Sequence, residues 1–213
     1  MECVIRNEQI ADERTVEEIT KMAFWNVHVP GCVEHYLVHM MRHSSDFIRD
    51  LDFVILKNDQ IIGNIMYTLS HLLNERNERL DTITFGPVSI APEYQRQGYG
   101  SELIKYSMNK AMENGYNAII IHGNPGNYCK HGFFGSKKFR ISTPEGKYPC
   151  ALLVKPLKED MFETGQWRFH ESEVFDLDYS GFEQYDNTFD RMAKEDRYTQ
   201  EEFRILSTAY IDS

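Results

Sequence analysis

Thr82–Ala111 reads TITFGPVSIAPEYQRQGYGSELIKYSMNKA: a strand, a glycine-containing loop and a helix, in that order. The apolar residues of the strand alternate, but the phase slips part-way. Ile83 and Phe85 share one parity and Val88 and Ile90 the other, with Gly86-Pro87 between them. One extra residue flips the pleat, so a slip across Gly-Pro predicts a β-bulge. Pro87 has no N–H to give to a ladder, which fits a bulge or a local separation from the neighbouring strand. A strand that bends away from its partner offers unpaired amides and carbonyls to an extended, amide-bearing ligand. In the loop, Gly98 and Gly100 let the backbone turn tightly and approach a ligand closely. The amides that follow belong to a first helical turn, where donors lack intrahelical partners and the helix dipole is positive. Such a site suits a phosphate or pyrophosphate, and Arg96 adds a mobile positive charge beside it. The plain alternative is an ordinary turn before a helix.

Two common phosphate loops do not fit. A dinucleotide fingerprint needs a small residue where Leu103 stands, and no Gly-Lys-Ser/Thr follows as a Walker A loop requires. The stretch instead resembles the acyl-CoA signature of the GNAT N-acetyltransferases, Gln/Arg-x-x-Gly-x-Gly/Ala, matched by Gln95, Gly98 and Gly100 after a bulged strand ending Val88-Ser89-Ile90-Ala91-Pro92. A second match lies downstream. Gly132-Phe133 follows Tyr128 by four residues, as in many members of that family. The resemblance spans about residues 3–156, most densely 82–133, and the layout is similar to a bacterial subgroup with an extra C-terminal region.

The resemblance implies an α/β fold (an α+β mixed sheet): a central twisted, mostly antiparallel sheet holding one parallel, splayed strand pair, with flanking helices. It implies direct transfer of an acetyl group from acetyl-CoA, as co-substrate, to a primary amine of an unidentified acceptor in a ternary complex, a small molecule or, as the alternative, a protein or peptide terminus. Backbone groups around Val88, Ser89 and Ile90 would hold the pantetheine arm. The N–H groups of Gln97, Gly98, Tyr99, Gly100 and Ser101 would hold the pyrophosphate, with Gln95, Arg96 and Asn124 as further contacts to the co-substrate. An N–H near Val88 would polarise the thioester carbonyl, and Tyr128 would protonate the departing thiolate. The acceptor's ammonium must lose a proton before attack. Glu34, His35 and His122 are the candidate bases, and solvent is the alternative. In this reading the first helix–loop–helix segment borders the acceptor, making Trp25, His28, Cys32, Glu34, His35 and Tyr36 candidate contacts. The alternatives are a catalytically idle acyl-CoA-binding sensor, since a fold does not guarantee transfer, and an interaction module working through the tail.

The rest of the chain supports this layout from its own residues. Thr15-Val16-Glu17-Glu18 is a capping-box pattern opening a first helix that ends near Trp25, with Asp12 as an alternative cap. A short strand at 2–6 precedes it, and a helix from Cys32 to about Arg42 follows. Phe53–Leu56 and Ile61–Leu72 flank Asn58-Asp59-Gln60, a hairpin signal, and residues 74–81 read as a loop. Gly115 suits a helix C-terminus. Asn117–Ile121 is a continuous apolar run expected of a strand buried on both faces, and Lys147–Leu157 has the pattern of a last strand. Strand, helix and strand in that order imply a right-handed parallel crossover.

Composition narrows the function further. The net charge of −10 is concentrated after residue 156, where 15 acidic residues face 6 basic ones. Residues 1–156 are therefore nearly neutral and carry no basic stripe for nucleic acid. No run approaches the roughly 18 apolar residues of a membrane helix. The N-terminus lacks the layout of a secretory signal, and Cys3, Cys32, Cys129 and Cys150 show no paired spacing, so free thiols in a cytoplasmic protein are expected. His35, His39 and His43 share a nominal helix face, which invites zinc. No second ligand cluster matches them, and no metal is expected. Residues 1–156 form the expected transferase domain, and 157–213 an acidic, aromatic-rich extension. With 11 aromatics that extension should pack on the core. Gln166–Phe169 and Glu173–Phe175 read as short strands, and Thr199-Gln200-Glu201-Glu202 as a capping box opening a last helix. The extension reads as a structural cover; a substrate lid or a homodimerisation arm is the alternative.

Overall fold

The computed structural model describes residues 3–159, 161, 162 and 165–212. The expected strand at 2–6 is β1 (Val4–Asn7); Glu2 lies outside the described residues. Beside it run β2 (Phe53–Lys57), β3 (Gln60–Asn74) and β4 (Arg79–Ile90), all antiparallel. Asn58 and Asp59 both have positive φ, the backbone of a two-residue hairpin loop whose twist matches the strands. The β3–β4 loop is shorter than expected. Pairing already holds at Leu73↔Arg79, because Leu80 and Thr82 turn inward while Arg79 and Asp81 face solvent.

The bulge lies where the pattern slips. Val88 pairs with Ile65 and Phe85 with Tyr67, so Gly86 and Pro87 together oppose Met66. Gly86 has a φ of 152°, a backbone that favours glycine. Beyond the bulge, Val88 and Ile90 pack on the same side as Ile83 and Phe85. Ser89 turns the other way, and its buried hydroxyl lies 3.0 Å from Thr20 Oγ1.

Helix α1 (Glu13–Phe24) and α2 (Glu34–Met41) cover one face, with Val16, Val38 and Met41 packed on Val54 and Met66. The expected capping box at Thr15 does not form. Asp12 instead accepts from the Gln9 amide at 2.8 Å and pairs with Arg6, so the helix starts at Glu13. The opposite face carries α3 (Tyr99–Glu113), whose Tyr99, Leu103, Ile104, Met108 and Ala111 enter the largest apolar cluster. The crossover then delivers β5 (Ala118–His122), parallel to β4.

After β5 come the single turn α4 (Pro125–Tyr128), β6 (Phe134–Gly135), β7 (Ile141–Ser142) and β8 (Leu152–Pro156), the last antiparallel to β5. The last strand of the core region is shorter than Lys147–Leu157, because residues 143–147 form a turn closed by Thr143 N–H to the Lys147 carbonyl. The chain beyond residue 156 does more than cover the sheet. It adds β9 (Trp167–His170), which extends the edge of β3 past the end of β2, at His71–Asn74, and pairs β7 in parallel. Glu173–Phe175 is a helical turn rather than a strand: Ser172 caps it and donates 2.7 Å to Asp46. Next come α5 (Phe182–Asp186) and α6 (Tyr198–Thr208). Thr199 does not cap α6; its hydroxyl donates to the Val27 carbonyl and ties the helix to the α1–α2 loop. After α6 the chain returns to the core, with Tyr210 bridging Pro149. No helix among the described residues is long and apolar enough to cross a membrane.

Candidate active site

Strands β4 and β5 pair at one position, Ile83↔Ile119. Past that point β4 keeps β3 as its partner and β5 keeps β8, so the two strands part. Their facing edges from Thr84 and Ile120 onward present backbone donors and acceptors to a wedge-shaped gap. At the far end of β4 sits the glycine loop. Gly98 is the N-cap of α3 with a φ of 95°, and Arg96 also has positive φ. The first α3 amide bonded back into the helix is that of Glu102, to the Gly98 carbonyl, which leaves the N–H groups of Tyr99, Gly100 and Ser101 free for a ligand. A β-carbon on Gly100 would meet only Ile90 Cγ1 at 3.6 Å, so the space above it is open. This arrangement fits an anionic head group at the helix and an extended amide chain along the gap.

Tyr128 closes the other side. Its ring packs on Phe85 (5.7 Å between centroids) and Phe133 (5.9 Å), and it rests on Gly123 so closely that a β-carbon there would come within 2.5 Å of it. Its hydroxyl has no protein partner among the described residues, and burial pushes the phenol up to about 12.

Residues 21–136 match the profile of the acetyltransferase (GNAT) family. The chain belongs to that family. Its members are acyltransferases that use acetyl-CoA as co-substrate. Among the relatives, the uncharacterized N-acetyltransferase YjhQ of Escherichia coli is 27% identical over 112 residues, 50% of this chain and 61% of YjhQ. The uncharacterized N-acetyltransferase YhbS of the same organism is 25% identical over 141 residues, 65% of this chain and 81% of YhbS. The crystal structure of YhbS in complex with CoA superposes with a TM-score of 0.70 at 20% identity, covering 82% of this chain and 92% of that one. A GNAT acetyltransferase from Brucella melitensis in complex with acetyl-CoA gives 0.64 at 21% identity, covering 82% and 98%. At these identities the two structures establish the shared fold: a mixed sheet with a parallel pair and flanking helices.

Within the GNAT frame, several residues named from the sequence are held by other tasks. The Gln95 side chain donates to the Ile90 carbonyl at 2.9 Å and that of Gln97 to the Glu93 carbonyl at 2.8 Å, so both brace the loop. The side chain of Tyr99, the first residue of α3, is buried in the core, which leaves only its backbone N–H at the loop. Asn124 caps α4, accepting from Gly126 N–H. The expectation that Trp25 and His35 border an open pocket gives way. Trp25 is buried and donates to the Ala193 carbonyl, and His35, wholly buried, lies 2.9 Å from Asp186 under the rings of Phe182, Tyr185 and Phe189. The chain beyond 156 seals both, which also removes His35 as a base; burial lowers its pKa. Cys32 is buried beside it, and burial pushes its thiol up to about 12. Tyr36 is likewise buried, against Phe182 and Tyr185.

Glu34 and His28 bond to each other at 2.9 Å, Glu34 also accepts from the Val33 amide, and the His28 ring stacks on Phe203 of α6. His28 lines a hollow of about 430 Å³ between the α1–α2 loop and α6, with Pro30, Gln200 and Phe203. His122 ends β5 with its ring half exposed and Nδ1 3.5 Å from Glu171. His39 and His43 have separate partners, Glu17 and the His39 carbonyl, and no group of three or more His, Cys, Asp or Glu among the described residues is placed to hold a metal. Two residues near the gap went unmarked in the sequence. His131 comes within 3.5 Å of Ser101 Oγ at the start of α3, and Glu171 faces His122. Glu171 arrives through the pairing of β9 with β3, whereas His131 sits in the turn between Tyr128 and Gly132-Phe133.

Proposed function

We propose that this protein transfers the acetyl group of acetyl-CoA directly to a primary amine of a small-molecule acceptor. The observation that carries the reading is that β4 and β5 pair at a single position before parting, with the open helix terminus at one end of the gap and Tyr128 at its side. The amides of Tyr99, Gly100 and Ser101 bind the pyrophosphate of the donor, and the free edge of β4 around Val88 and Ile90 binds its amide-bearing arm. YhbS and the Brucella enzyme, which share the fold, have structures with CoA and acetyl-CoA. The thioester is an activated acyl donor, and holding it beside the amine supplies orientation.

Tyr128 acts on the leaving group. An alkyl thiol ionises near pH ~8.5, well below a phenol held up to about 12, so full proton transfer from Tyr128 runs uphill. Its contribution is a hydrogen bond to the sulfur as charge builds there, worth about 1.5–3 kcal/mol.

The test combines binding and turnover. Acetyl-CoA should raise the melting temperature more than ATP or NAD does, because a ligand of the folded state stabilises it by mass action. Gly100→Trp, which fills the open space over the helix terminus, should abolish the rise. Thiol release with a panel of amines should fall in Tyr128→Phe while acetyl-CoA binding persists. A wild-type protein that acetyl-CoA does not stabilise at millimolar concentration would overturn the reading.

A further inference from the structure

The transferase reading leaves its base unassigned, and the inference that follows rests on that reading. We propose that His122 is the general base that takes the proton of the acceptor's ammonium, and that Glu171, from the chain beyond residue 156, is the positioning residue that holds its imidazole.

His122 ends β5 three residues past the point where that strand leaves β4. Ala118 and Ile120 pack on the face opposite α3, and the pleat puts His122 on that same face, where its ring meets Phe169 edge-on at 6.1 Å. Ile119 and Ile121 face α3, and so does Tyr128, whose ring rests on Gly123, the residue next to His122. The imidazole at the end of β5 and the phenol of α4, which rests on the next residue, therefore lie on opposite faces of the sheet. A thioester lying between β4 and β5 has the base on the side from which an amine can approach and the phenol on the side to which sulfur departs.

Glu171 arrives by strand pairing. His170 pairs with His71 and Phe169 with Leu72, and the next carboxylate after β9 stands 3.5 Å from His122 Nδ1. The contact is an ion-pair distance, and a carboxylate on the Nδ1 side favours the tautomer with the proton there, leaving the Nε2 lone pair free to accept. Among the described residues Glu171 is the charged partner of this ring, and both side chains keep about two-fifths of their surface open to a ligand (43% and 38%). Glu34 is less suited, because both its oxygens already accept from His28 and the Val33 amide.

The protons and electrons balance. The ammonium gives one proton to His122 Nε2, which returns it to solvent. The freed nitrogen lone pair forms the C–N bond, and the C–S pair leaves with sulfur. The nitrogen then loses its second proton while the sulfur, hydrogen-bonded to Tyr128, gains one. Ammonium and thioester give amide, thiol and one proton released.

The test follows thiol release from acetyl-CoA across pH, with butylamine, whose ammonium must be deprotonated, and with hydroxylamine, which is already neutral near pH 7. His122→Gln should lower kcat/KM for butylamine near pH 7 by about 10²-fold or more and leave a rate that follows the free-amine fraction as pH rises, with a far smaller effect on hydroxylamine. Glu171→Gln should lose less of the butylamine rate, again with little effect on hydroxylamine, and Glu171→Asp should recover part of it. Stabilisation by acetyl-CoA should stay at the wild-type level in every variant, and His122→Asn repeats the test with a smaller side chain. A His122→Gln enzyme with the wild-type butylamine rate and pH profile would overturn the assignment while leaving the transferase reading intact. A wild type that binds acetyl-CoA yet turns over neither nucleophile would overturn both.

Discussion

Replacing Gly123 with alanine displaces Tyr128 without touching it. Gly123 does not adopt a positive φ, so alanine fits the main chain. Its β-carbon, however, would stand 2.5 Å from Cε2 and 2.8 Å from Cδ2 of Tyr128. Unbonded carbons rest at about 3.5 Å or more, so the ring must retreat by roughly 1 Å. A hydrogen bond from the phenol to a developing thiolate is worth about 1.5–3 kcal/mol, or roughly ten- to a hundredfold in rate, and a displacement of that size breaks it. The loss in kcat should match that of Tyr128→Phe. The two changes should not add, because both remove the same interaction. Steady-state thiol release gives kcat and the KM for acetyl-CoA, and a melting curve separates an unfolded variant from an inactive one. Overpacking at this half-buried site should lower stability by only about 1 kcal/mol. A Gly123→Ala enzyme with wild-type kcat, or a full further loss in the Tyr128→Phe background, would refute the reasoning.

Other expectations concern what holds the fold. Asp186 bonds at 2.7 Å to Lys21 and at 2.9 Å to His35, both buried, so Asp186→Ala strands a buried ammonium. A loss of about 3 kcal/mol in urea unfolding is expected, with protease cleavage appearing first beyond residue 156; unchanged stability would show that the tail is not anchored there. Asp52 is buried beside Glu8, and burial first, then the Glu8 charge, raise its pKa. The folded chain therefore keeps a proton that the unfolded one loses above pH ~3.9, so this contribution is complete below that value and declines as pH rises toward the raised one. Asp52→Asn should flatten the fall of unfolding free energy with pH, by up to about 1.4 kcal/mol per pH unit; parallel curves for the two proteins would rule this out.

Much of the donor side was legible in the residues themselves. The phase slip around Gly86-Pro87, the glycines before α3 and the placing of Tyr128 before Gly132-Phe133 are all patterns within a few positions of the chain. Each corresponds to a feature of the structure: a bulge opposite Met66, an N-cap at positive φ, and a ring packed on Phe85 and Phe133. The acceptor side was not legible in that way. Trp25 and His35 looked available because nothing near them in sequence covers them.

The chain's own order of residues thus determined the pleat, the bulge, the loop and the helix that follows, because backbone geometry and side-chain parity are set by immediate neighbours. The tertiary structure alone decided which of the polar side chains are free. Asp186 reaches back to Lys21 and His35, Ala193 to Trp25, and Glu171 to His122. The last of these depends on where β9 meets the far end of β3, a pairing that rests on burial and unsatisfied strand edges and leaves no short-range periodicity to read.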